Sequence, residues 1–203
     1  VLEDEDGVSL LLGLYILVGA LGVPFWALLS QRFDKRRGLA LATLIQTFAL
    51  LIAFIGVGRG SVALYSGCII VAGISFGGVP VIRFSMLGDV SDLLQLQSGR
   101  KDEGKLVAVF DISSKLAASA LISLGFTVID LSGYQADEPQ GPAAKLAIRI
   151  FYGLVPAILG AFSALVVFVL YPLDRAKHAE VLSQMAVNPE ILGKAASDVA
   201  ITN

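Results

Sequence analysis

The sequence predicts an all-α membrane protein with five transmembrane helices, on three observations. The composition is 56% hydrophobic and 16% charged, with a mean hydropathy of +0.79; soluble domains carry about 25% charge. No charged residue occurs in 7–31, 38–58, 60–82 or 150–173, and each stretch reaches the ~20 residues that cross about 30 Å of hydrocarbon. Basic residues also gather in alternate loops, as they do in polytopic proteins.

The elements follow in order. Residues 1–7 form an acidic stub. The acidic start, VLEDED, and the length of the apolar run behind it argue against a signal peptide. No Met opens the chain, so we expect sequence upstream of it. The spans are expected at about 8–29, 38–57, 61–88, 106–131 and 148–171. The stretches VSLLLGLYILVGALGVPFWALL and IFYGLVPAILGAFSALVVFVLYPL have none of the polar stripe that a soluble helical bundle needs. The fourth span carries Asp111, Lys115 and Asp130 inside it. Loops QRFDKRR and SGRKDEGK join spans on one side, and SGYQADEPQGPAAK forms a loop on the other. Residues 173–203 are a tail, with a short surface helix expected over 174–184 after Pro172 and a loose remainder.

Arg32, Lys35, Arg36, Arg37, Arg100, Lys101, Lys105, Arg175, Lys177 and Lys194 fall on one side of this arrangement. Arg59, Lys145 and Arg149 fall on the other. That bias makes the first side cytoplasmic, with the stub outside and the tail inside. Gly73 and Gly77, Gly153 and Ala157, and Gly160 and Ala164 are each four apart and allow close helix packing. Pro24, Pro80 and Pro156 interrupt spans, which lipid-embedded helices tolerate when neighbours satisfy the freed carbonyls.

Several classes are excluded. Net charge is −2 and no basic block is long enough to follow a phosphate backbone, so no nucleic-acid partner is expected. One cysteine, Cys68, cannot form an internal disulfide. The sequence holds no Gly-rich phosphate loop, metal-ligand cluster or nucleophile–base set, so an enzyme is the least expected class, and no cofactor or bound metal is expected. His178, between Lys177 and Ala179 in the tail, is expected to be a solvated residue.

Lys115 stands out. It lies about ten residues, ~15 Å, into its span, where an unpaired cation costs at least ~2.5–3.5 kcal/mol. Asp111, four residues earlier, shares its helix face. Either the two neutralise each other, or they line a polar cavity where Lys115 meets substrate hydroxyls or acids from another helix. Asp89 and Asp92, three apart, share a face at the end of the third span. They are either solvated helix-end charges or an ion-pair latch with the basic loops.

These loops and helix ends resemble a known family. AxxxQRFDKRR, from Ala27 to Arg37, resembles a degenerate copy of the major facilitator loop motif GxxxDRxGRR. SMLGDVSDLLQLQSGRKDEGKLVAVFDISSKLAASA, from Ser85 to Ala120, resembles a segment of the glycoside–pentoside–hexuronide:cation symporters, the melibiose-permease family. In that family a DxxDY helix end leads into a GxRxEG loop and then a helix with a buried lysine. FYGLVPAILGAFSALVVFVLYPLD is similar to the family's last helix. Lys101 stands where the family has Arg, Leu93 where it has Tyr, and Pro80 where melibiose permeases have an aromatic.

The resemblance implies that the five spans match helices eight to twelve of a twelve-helix transporter, a partial C-terminal bundle of the major facilitator superfamily. It implies that Lys115 and Asp111 lie near the solute and cation cavity. It also implies a cytoplasmic gate built from Arg32, Lys35, Arg36, Asp89, Asp92, Arg100 and Lys101. The expected function is secondary transport of a sugar, glycoside or similar solute coupled to Na⁺ or H⁺ by alternating access. The cation's main ligands would come from missing N-terminal helices. Transport of a lysolipid by the same fold and a non-transporting membrane scaffold are the alternatives.

Overall fold

The computed structural model describes residues 5–56, 62–100, 102–135 and 138–187. Five helical segments in it are long and apolar enough to cross a membrane. We call the end that carries Lys35, Asp89 and Arg175 the basic end.

Helix α1, Glu5–Arg32, runs towards the basic end with Pro24 inside it. A two-residue break follows, and α2, Lys35–Gly56, runs back. Asp34 starts α2 as its N-cap: Oδ1 accepts the Arg36 N–H at 3.3 Å, which satisfies a donor that the first helical turn would leave free. Helix α3, Val62–Ser98, is 37 residues long, about 55 Å at 1.5 Å per residue. The sequence places the end of this span at 88. The helix instead continues to Ser98, because 89–98 contain neither Pro nor Gly. Gly99 ends it in the left-handed region, at φ 67°, and returns its N–H to the Gln95 carbonyl at 2.9 Å.

Helix α4, Glu103–Leu131, follows Asp102. The Asp102 carboxylate ion-pairs with Lys105 at 2.8 Å, and that hydrogen bond holds its carboxyl below the usual carboxylate range. The fifth span starts earlier than the sequence suggests. A short helix α5, Pro142–Arg149, begins inside the expected loop, with Pro142 at its first position, where the missing N–H costs nothing. A π-helical turn, Ile150–Leu154, leads into α6, Val155–Leu170. Pro156 cannot donate to the Tyr152 carbonyl, and the wider turn just before it accommodates the lost bond. Helix α7, Arg175–Val187, lies at the basic end. It matches the expected tail helix, but it buries Val181 and Met185 rather than resting on the surface. The rest of the tail lies outside the described residues.

Packing rests on small residues. An ideal Cβ on Gly73 would come within 3.0 Å of the Tyr15 carbonyl oxygen, and one on Gly22 within 2.8 Å of the Ile74 oxygen. The α1 and α3 backbones therefore touch, as the Gly73–Gly77 spacing suggests. Below that contact, Trp26, Leu39, Ala42, Ile82 and Met86 form the core. The Trp26 indole N–H donates to the Ile74 carbonyl at 2.8 Å. Helix α6 packs on α2 through Gly160, whose ideal Cβ would meet the Thr47 side chain, and Gly153 lies under Phe54.

Helix α4 stands apart. Only Gly125 and Ile129 are buried on it. Gly125 sits against the Phe151 ring, 3.0 Å from its ideal Cβ, and Phe110 meets Phe84 edge-on at 6.2 Å. Its remaining faces are open.

Candidate functional site

At the basic end, two acids on α3 are gathered by α2 and α7. Lys35, the first residue of α2, reaches Asp89 with Nζ 2.6 Å from Oδ1, and lies 3.4 Å from the Ser85 carbonyl. The Asp89 side chain is only 9% exposed, so this carboxylate depends on partners. His178 Nε2 lies 3.0 Å from Asp92 Oδ2 and 3.4 Å from Asp89 Oδ1. Facing two carboxylates, that nitrogen serves as the donor. The Tyr171 hydroxyl donates to the Met86 carbonyl at 3.3 Å, and the Arg175 guanidinium to the Arg32 carbonyl at 3.3 Å. The end of α6 is thereby tied to α3, and the tail helix to α3 and to the end of α1.

His178 therefore corrects the sequence reading. It is a member of the acid cluster, not a solvated tail residue. The signal was present: His178, Val181 and Met185 recur at i, i+3 and i+7, the spacing of one helix face, and that face docks on α3.

Not all expected gate residues converge. Lys35, Asp89 and Asp92 do. Arg36 turns to α6: its guanidinium stacks 5.2 Å above the Phe168 ring, with Nε 3.8 Å from Asp34 Oδ2. Arg32 joins through its backbone carbonyl. The Arg100 N–H donates to Ser98 Oγ at 3.3 Å, and Lys101 lies outside the described residues. Asp92→Asn is expected to weaken α7 docking by about 2 kcal/mol, the scale of the charge-assisted hydrogen bond between this carboxylate and His178. Amide exchange over Arg175–Val187 would then speed up, and unchanged exchange would show that the acid does not hold the tail.

The second feature is the Asp111–Lys115 pair. The residues are one turn apart on α4, with Nζ 3.4 Å from Oδ2, and Lys115 is 78% exposed. Among the described residues the lysine's charged partner is this aspartate. The pair neutralises itself and also stands on an open face. The grooves beside α7 are lined by residues such as Leu93, Leu96 and Val181 at the basic end. They do not enclose the pair. Among the described residues, no group of three or more His, Cys, Asp or Glu could hold a metal.

The family described as "MFS/sugar transport protein" matches residues 1–175. The chain belongs to this family. Its relatives include "Uncharacterized symporter YjmB" of Bacillus subtilis, 28% identical over 84% of this chain and 37% of the relative. "Uncharacterized symporter sll1374" of Synechocystis is 30% identical over 79% of this chain and 30% of the relative. "Sodium-dependent lysophosphatidylcholine symporter 1" of Gallus gallus is 26% identical over 81% and 31%. The chain thus spans about a third of the length of these relatives. Family and fold together make it a multi-pass membrane protein, a part of a major facilitator transporter.

Proposed function

We propose that the chain is the C-terminal part of a twelve-helix secondary transporter. It moves a sugar or sugar-like solute together with Na⁺ or H⁺ by alternating access. The observation that carries this reading is the Asp111–Lys115 pair, a pair of opposite charges on a membrane-length helix whose face this chain leaves open. Ionisable groups at such depth mark solute or ion paths, and in this architecture sites form near the midplane between two halves. The open face of α4 is where the other half would close the cavity. The coupling cation would take its main ligands from that half. The cluster of Lys35, Asp89, Asp92 and His178 would be this chain's part of the inner gate. In the cell membrane, the stub would lie outside and the basic end in the cytoplasm, as the distribution of Lys and Arg favours.

A lysolipid solute is the second reading. It is favoured by the relative named as a lysophosphatidylcholine symporter and by the apolar Val107 and Ile112, exposed within one turn of the pair. Uptake by vesicles containing the complete transporter separates the two. A labelled sugar panel is offered with and without an inward Na⁺ or H⁺ gradient. Gradient-dependent accumulation of one sugar is the expected result. If no sugar moves although the protein is folded and inserted, while lysolipid crosses, the solute is lipid.

A further inference from the structure

Arg36 and Arg37 stand in the first turn of α2, and the acid cluster uses neither. Helix α2 is of span length, so its first turn lies at the level of the lipid headgroups. Arg36 is on the side that faces α6, the side of Thr47 and Phe54, which meet Gly160 and Gly153. Its guanidinium stacks on the half-exposed Phe168, and Nε lies 3.8 Å from Asp34 Oδ2. Nothing else among the described residues bonds this guanidinium. Arg37 follows about 100° round the helix. It is exposed and, among the described residues, has no hydrogen bond, ion pair or ring contact.

Beyond Arg37 the same helix face carries Leu41, Leu44, Phe48, Ile52 and Ile55, each a whole number of turns or close to it from the arginine. All five are exposed. The stripe therefore runs about 27 Å into the membrane from an unpaired guanidinium. At its head, two arginines face one carboxylate, Asp34, since Lys35 is matched by Asp89. That leaves a charge of +1. Such a charge at headgroup level attracts anionic lipid. A guanidinium fork takes a phosphate in bidentate geometry, and the Phe168 ring holds one of the two forks in place. A soluble anion would use the arginines and leave the stripe bare. A phospholipid supplies both parts in this order, phosphate first and apolar chains below it.

We propose that Arg36 and Arg37 hold the phosphate of one anionic bilayer phospholipid, whose acyl chains lie along the exposed stripe of α2 beside α6. This lipid is a bound partner and not the transported solute. The site rests on the membrane-spanning fold and is independent of the transport reading.

Lipid binding to the complete transporter in neutral detergent, read by native mass spectrometry, tests it. Dioleoylphosphatidylglycerol should bind roughly twentyfold more tightly than dioleoylphosphatidylcholine, about fivefold for each arginine. Arg37→Gln touches no packing and should cut this preference about fivefold. Adding Arg36→Gln should erase it. Lys177→Gln removes a cation at the same end but away from the stripe, and should leave the preference unchanged. Glycerol 3-phosphate, the headgroup without chains, should not compete at equal concentration. Phe48→p-benzoylphenylalanine, about 16 Å below Arg37, should crosslink to phosphatidylglycerol on illumination. Equal binding of the two lipids overturns the site. A loss from Lys177→Gln as large as that from Arg37→Gln also overturns it, because the attraction is then a diffuse field. Competition by glycerol 3-phosphate overturns it in favour of a soluble anion. Crosslinking of position 48 to another helix of the transporter, in place of lipid, shows that protein covers the stripe and overturns it as well.

Discussion

Lys115→Ala in the complete transporter is expected to bring gradient-driven uptake close to background while insertion and folding stay intact. The ammonium stands on α4 with 78% of its side chain open, so its removal disturbs little packing. What disappears is a charge-assisted donor at the face where the solute would sit. Such a bond contributes about 1.5–3 kcal/mol, or roughly ten- to a hundredfold in binding. A second cost adds to it. Asp111, 3.4 Å away, loses its counter-charge, and a lone carboxylate at membrane depth is penalised by a similar amount again. The variant Asp111→Asn with Lys115→Ala removes that second cost and not the first. It should restore stability without restoring uptake. Normal accumulation by Lys115→Ala would falsify the placement of this lysine at the solute site.

Gly77→Val should do the opposite, weakening the fold without touching the charged sites. A Cβ on Gly77 would fall on the Gly19 carbonyl oxygen, backbone against backbone, and would also press on the Val23 N–H. No side chain can rotate away to relieve this, so α1 and α3 must separate. Overpacking of a well-fitted interface costs about 1–3 kcal/mol and sometimes more, and this contact, with no flexible atom in it, belongs at the upper end. Separation of the helices would also pull Trp26 from the Ile74 carbonyl. Gly67→Val is the control, since nothing lies within 4 Å of its ideal Cβ. In a denaturation series in detergent, Gly77→Val should unfold well before Gly67→Val. Equal midpoints would mean that α1 and α3 do not touch there.

Particular residues show how much was legible beforehand. The spans were readable because apolar length is a local property, and the gaps between charges give it directly. The Asp89–Asp92 and Asp111–Lys115 spacings placed each pair on one helix face, because a helix turns by a fixed angle per residue. Helix ends were less legible. Nothing in the hydropathy of 142–149 or 89–98 told where a helix running past the membrane would start or stop. Pro142 and Gly99 decided it.

By itself, the sequence determined the number of spans, the side on which the basic loops gather, the small residues that let helices touch and the two charged pairs. Those features depend on neighbours within a few turns. Only the tertiary structure decided which charges meet. Lys35 and Asp89 are 54 residues apart, and His178 and Asp92 are 86 apart. Each meeting depends on how one helix is rotated about its axis against another. That rotation is set by contacts such as Gly77 on Gly19 and Val181 on the α3 end. It is a property of the packed interface as a whole, so no local run of residues could carry it. The same rotation turned Arg36 onto Phe168 and brought His178 from the tail into the acid cluster.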